Sequence, residues 1–167
     1  MRIYLLGFMG SGKSSLGKRL AKKLDCLFVD LDDEVKRLAG RPIDEIFMMF
    51  GEDYFRQLEQ QALHKTLLLN RAVIATGGGT PCFFDNMAFI NNHGTSVYLR
   101  MSPGSLASRL TNAQKKRPLI QNLSQANLPA FIESKLKERE VYYMQSKCII
   151  KGETVKADQV ISLVFGQ

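Results

Sequence analysis

The chain has 167 residues, 45% hydrophobic and 23% charged, which fits one soluble globular domain with a real core. No apolar run approaches the roughly 20 residues of a membrane span. Cys26, Cys82 and Cys148 lie far apart without a Cys-x-x-Cys, and His64 and His93 are isolated; a disulfide framework and a Cys/His metal site are excluded and a reduced, cytoplasmic chain is expected. The net charge of +7 is spread over helices and one loop, without a basic tail or an aromatic-interleaved stripe. Small anionic substrates explain that charge better than nucleic acid does.

In chain order, residues 2–6 form a short apolar run of the kind a buried parallel strand requires. The run is too short for a signal peptide and passes directly into Gly7-Phe-Met-Gly10-Ser11-Gly12-Lys13-Ser14. Leu16, Leu20, Ala21 and Leu24 then recur at helical spacing. Strand, glycine-rich loop and helix together make a phosphate cradle, in which backbone N–H groups and the helix N-terminus face the phosphates. Lys13 is expected to reach the β/γ-phosphates, and the Ser14 hydroxyl to ligate Mg²⁺.

A second strand, 27–30, ends in Asp30-Leu31-Asp32 and enters a helix. Asp30 and Asp32 are candidates for the Mg²⁺ shell and an acceptor hydroxyl, with helix N-capping as the competing role. A helix is expected from Gly51 to about Asn70, carrying Arg56 and Glu59 three residues apart. Strand 72–76 runs into Gly77-Gly78-Gly79, where a ligand could approach backbone closely. A helix at 83–92, a strand at 96–100, a helix at 127–146 and a strand at 148–151 follow. Between Thr111 and Gln125 the chain is polar and basic with weak periodicity, a candidate lid or a solvated loop. Five apolar strands alternating with helices predict an α/β fold, a three-layer α/β/α sandwich on a five-stranded parallel sheet. On residues alone the chemistry reads as ATP-dependent transfer to a small, anionic, hydroxyl-bearing acceptor.

Taken together, these segments resemble the shikimate kinase family. The resemblance rests on the phosphate loop, Asp30-Leu-Asp32, Ile43-Asp-Glu-Ile-Phe47, Phe50-Gly-Glu-Asp-Tyr-Phe-Arg56 with Glu59, Ala75-Thr-Gly-Gly-Gly79, Arg117-Pro-Leu119 and Arg139-Glu-Val-Tyr-Tyr143. It implies a P-loop NTPase of nucleoside-monophosphate-kinase type over 1–167, with a mobile lid at about 112–125 and a substrate-binding helical region at about 32–62. It implies Mg²⁺- and ATP-dependent phosphorylation of the shikimate 3-hydroxyl, on the route to chorismate and the aromatic amino acids. Gly10, Ser11, Gly12, Lys13, Ser14 and Ser15 would hold ATP, Arg109 would lie on the adenine side, and Arg117 would swing in from the lid. Asp32, Arg56, Gly78 and Arg139 would bind substrate, with Glu59 holding Arg56 and with Phe47 and Phe55 against the ring. Lys13, Asp32 and Arg117 would be catalytic, and Asp30 would act through metal-bound water. A monomer without nucleic-acid or membrane partners is implied. Leu31 stands where many members carry Ser or Thr, and Thr80-Pro81-Cys82 departs from the usual sequence after the triple glycine. A gluconate-kinase-like enzyme, a nucleotide switch and a nucleic-acid-stimulated ATPase are the alternatives; the chain has no Asn-Lys-x-Asp guanine motif.

Overall fold

The computed structural model describes residues 1–111 and 126–166. The expected lid, and Arg117 within it, lie outside the described residues. The elements are β1 (Arg2–Leu6), α1 (Lys13–Lys23), β2 (Leu27–Asp30), α2 (Leu31–Ala39), α3 (Ile43–Lys65), β3 (Ala72–Ala75), α4 (Asn86–His93), β4 (Thr95–Arg100), α5 (Pro103–Thr111), α6 (Leu128–Tyr143), β5 (Cys148–Lys151) and α7 (Ala157–Phe165). Short 3₁₀ turns occupy Thr66–Leu68 and Thr80–Cys82.

The five strands form one parallel sheet in the order β2-β3-β1-β4-β5. Alternate residues of each strand enter opposite cores, because side chains alternate across a pleated sheet. Tyr4, Leu6, Ile74 and Tyr98 face a core built with α2, α3, α4, α5 and α6. Ile3, Leu5, Val73, Val97 and Leu99 face a second core built with α1 and α7. Two covered faces explain why the strands read as continuous apolar runs. This is the expected three-layer α/β/α sandwich.

The strands fall almost where the sequence puts them, and the helices less so. The expected helix at Gly51 starts earlier, because Ile43–Phe50 is also helical and joins it across a kink at Gly51 (φ 82°, ψ 175°). It also stops earlier, at Lys65, where a 3₁₀ turn takes over. The expected helix at 83–92 begins only at Asn86, since the 3₁₀ turn and Phe84 (φ 51°) come first. The helix at 127–146 is trimmed to Leu128–Tyr143. Helices α5 and α7 were not assigned from sequence. Among the described residues, no helix is long and apolar enough to cross a membrane.

Register decides where the site forms. Leu5 pairs with Ala75 and with Val97, and Asp30 pairs with Ala75. The carboxyl end of β2, the triple glycine after β3 and the phosphate loop after β1 therefore leave the sheet at one edge, where open α/β sheets bind ligands.

Candidate active site

The phosphate loop turns into α1 at Gly12, whose φ of 92° a side chain would resist. Lys13 folds back across the loop. Its ammonium, largely buried, donates to the carbonyls of Gly7 (2.8 Å) and Phe8 (3.0 Å). The Ser14 hydroxyl donates to Asp30 Oδ2 at 2.5 Å, while Asp30 Oδ1 accepts from the Asp32 backbone N–H at 3.1 Å. Asp30 thus caps α2 with one oxygen and meets the Ser14 hydroxyl with the other. Ser11 is buried in the loop, its hydroxyl oxygen without a hydrogen-bond partner among the described residues, and Ser15 lines the cleft beyond it.

That cleft encloses about 580 Å³ and brings together Lys13, Ser14, Asp30, Asp32, Arg56, Glu59, Gly77–79 and Arg139. Phe47 and Phe55 supply an apolar wall, their ring centroids 4.6 Å apart. Asp32 lies half-buried in the first turn of α2, where its carboxylate faces Gly77.

Arg56 is 4% exposed and held on several sides. Its Nη1 donates to Glu59 Oε2 at 2.8 Å; its Nε and Nη2 donate to Glu52 Oε1 at 3.2 and 3.0 Å. The guanidinium carbon lies 4.1 Å from the Phe83 ring centroid and 5.0 Å from that of Phe55. Glu59, 1% exposed, accepts from the Thr80 hydroxyl at 2.6 Å through its other oxygen. Arg139 is 8% exposed, lies 5.4 Å from the Phe8 ring centroid, and keeps a buried Nη1 with no hydrogen-bond partner among the described residues.

The triple glycine supplies room. A Cβ on Gly79 would sit 2.7 Å from both Nη1 and Nη2 of Arg56, and one on Gly78 would sit 3.2 Å from Nη1 of Arg139. Both guanidinium groups face this ledge, and side chains there would stand in front of them. Tyr143 fixes the ledge from α6 by donating its hydroxyl to the Gly78 carbonyl. Burial holds its pKa well above the ordinary phenol value, so it remains a donor.

Arg109 stands apart from this wall. It crosses the phosphate loop, donating to the carbonyls of Gly10 (3.3 Å) and Glu153, and so joins the loop to the segment after β5. Three residues around the Arg56–Glu59 pair were given no role from sequence. Glu52 was legible at i,i+4 from Arg56; Thr80, noted only as a departure after the triple glycine, reaches Glu59, and Phe83 reaches Arg56, both from another part of the chain.

Comparison with known proteins decides the family. A family model described as shikimate kinase matches residues 9–165. The chain belongs to the shikimate kinase family. Members of this family are ATP-dependent phosphotransferases with an alcohol acceptor. A shikimate kinase of Phocaeicola vulgatus is 39% identical over 155 residues, covering 93% of this chain and 89% of that one. One of Bacteroides fragilis is 42% identical over 149 residues, covering 89% and 83%. The crystal structure of shikimate kinase from Bacteroides thetaiotaomicron superposes with a TM-score of 0.93 at 36% identity, covering 98% of this chain and 97% of that one. Shikimate kinase from Acinetobacter baumannii in complex with shikimate gives 0.91 at 32%, covering 99% and 93%.

Proposed function

We propose that the protein transfers the γ-phosphoryl group of ATP to the 3-hydroxyl of shikimate, giving shikimate 3-phosphate and ADP. The observation that carries this reading is the pair of buried guanidinium groups, Arg56 and Arg139, turned towards one glycine ledge in the cleft that Lys13 and Asp32 also line. The buried Arg139 Nη1, without a partner among the described residues, is costly unless a ligand completes it, and a planar carboxylate matches the guanidinium fork. The Phe47 and Phe55 rings offer an apolar wall to a carbocycle, which an open-chain sugar acid would use poorly.

In this reading Gly10, Ser11, Gly12, Lys13, Ser14 and Ser15 hold ATP. Lys13 exchanges its loop carbonyls for phosphate oxygens. Asp32 orients the acceptor hydroxyl and takes its proton as the oxygen attacks the γ-phosphorus and ADP leaves. Arg109 supports the nucleotide side of the loop, and Arg117 supplies further positive charge. Ser14 and Asp30 suit Mg²⁺: both offer hard oxygens, and Mg²⁺ in nucleotide sites relies on one or two carboxylates with water and phosphate. When bound, Mg²⁺ neutralises charge on the phosphates. The reading extends, as the family resemblance implies, to a monomer acting as one P-loop domain in the cytoplasm with small-molecule partners alone.

The test is ADP formation with Mg²⁺ and ATP, measured with shikimate, gluconate, quinate or no acceptor. Turnover with shikimate alone, lost in Asp32→Ala and Arg139→Ala, is the expected result. Equal turnover with every acceptor, or turnover with gluconate only, sinks the assignment.

A further inference from the structure

The turn after the triple glycine touches Arg56 and its partner from a distant part of the chain. Thr80 is fully buried, and its hydroxyl donates to Glu59 Oε1 at 2.6 Å, while Glu59 Oε2 accepts from Arg56 Nη1 at 2.8 Å. The two oxygens of this carboxylate are thus fixed from opposite directions, one by the turn and one by the guanidinium. The turn is itself anchored. Cys82 N–H donates to the Gly79 carbonyl at 2.9 Å, and the buried Asn86 amide donates to the Thr80 carbonyl at 2.9 Å. At its end Phe83 lays its ring 4.1 Å from the Arg56 guanidinium carbon.

We infer that the 80–83 turn sets the orientation of the Arg56 fork, with Thr80 as a positioning residue that acts through Glu59. The inference rests on the reading of Arg56 as a clamp for the substrate carboxylate. A buried carboxylate that loses one donor is under-compensated and free to rotate about its remaining bond. Rotation of Glu59 moves Nη1, and a bidentate fork loses its match to a carboxylate when one nitrogen shifts. Phe83 restrains the same group through its face, where a ring quadrupole attracts a cation. Neither residue lies at the phosphate loop, so the nucleotide is not their target.

Thr80→Val keeps the shape and removes the O–H. In steady-state kinetics on the full chain, with shikimate and ATP varied separately, it is expected to raise the KM for shikimate about tenfold or more. The KM for ATP stays within about twofold and kcat within about threefold. Thr80→Ser restores the wild-type KM, because it restores the donor. Phe83→Leu, an independent variant should Thr80→Val fold poorly by circular dichroism and thermal midpoint, raises the same KM selectively. An unchanged shikimate KM in both variants overturns the inference. So does a parallel rise in the KM for ATP, which marks general loosening, or a failure of serine to rescue. A wild-type protein that does not phosphorylate shikimate overturns the parent reading, and the turn's role falls with it.

Discussion

Gly79 has no need of glycine's backbone freedom, since its φ of −93° suits any residue. What it supplies is the absence of a Cβ in front of the Arg56 fork, where one would lie 2.7 Å from both terminal nitrogens. Those atoms end a flexible side chain, so an alanine would displace the guanidinium rather than break the fold. Gly79→Ala is expected to lower stability by roughly 1–3 kcal/mol, since it disturbs the buried Arg56–Glu59 pair, and to raise the KM for shikimate about tenfold or more. A thermal melt and steady-state kinetics check both halves, and an unchanged KM defeats the reading of the ledge. Asp30 teaches a related lesson. Its two oxygens serve a helix cap and the Ser14 hydroxyl together, so a carboxylate that caps a helix keeps an oxygen for a second partner.

At the level of elements, α3 carries the longest reach of the site. Ile43–Phe50 holds Phe47 and the stretch beyond the kink holds Phe55, Arg56 and Glu59. The bend at Gly51 uses a φ/ψ pair that is essentially open to glycine alone, and a Cβ there meets nothing within 4 Å. Gly51→Ala therefore costs backbone strain without collision, on the order of 1–3 kcal/mol. For a chain of this size that is a fall of roughly 2–4 °C in Tm per kcal/mol. Relaxation of the bend in the variant is expected to part Phe47 from Phe55, whose ring centroids now lie 4.6 Å apart, and so to raise the KM for shikimate as well. Calorimetry and kinetics on this one variant test both, and a Tm equal to wild type would remove the claim that the kink is enforced by glycine. Packing explains Gly17 in α1 in another way: a Cβ there runs into the Phe28 ring of β2, so glycine lets the helix lie close on the sheet.

Across the whole molecule, buried titratable groups set the alkaline limit of stability. Burial pushes the Cys82 thiol up from 9.0 to about 11, and raises the phenols of Tyr4, Tyr98 and Tyr143 above their ordinary 10.0. Between the unfolded and folded values the unfolded chain sheds a proton that the folded chain keeps. Stability is then intact below about pH 9 and falls as pH rises towards 11, by at most ~1.4 kcal/mol per pH unit for one group. Urea midpoints are expected to stay level from about pH 7 to 8.5 and to decline above 9, with a shallower onset in Cys82→Ala. A midpoint that rises between pH 9 and 10.5 contradicts the assignment.

By itself the sequence determined the local features. The phosphate loop was legible because its geometry is made by adjacent residues, and the five strands because a sheet covered on both faces demands unbroken apolar runs. The Arg56–Glu59 pair followed from helical spacing. Helices α5 and α7, nine residues each, are no shorter than α2 and were missed although Ser102 caps α5 with Pro103 at its first position, a signal that was legible. Only the tertiary structure decided that Thr80 meets Glu59 across 21 residues of chain, that Phe83 underlies Arg56, and that both arginines turn towards the glycine ledge. Such contacts depend on strand order and on how α3 and α6 pack beside one sheet edge. No local periodicity encodes that choice, because it is made by burying both faces of the sheet at once.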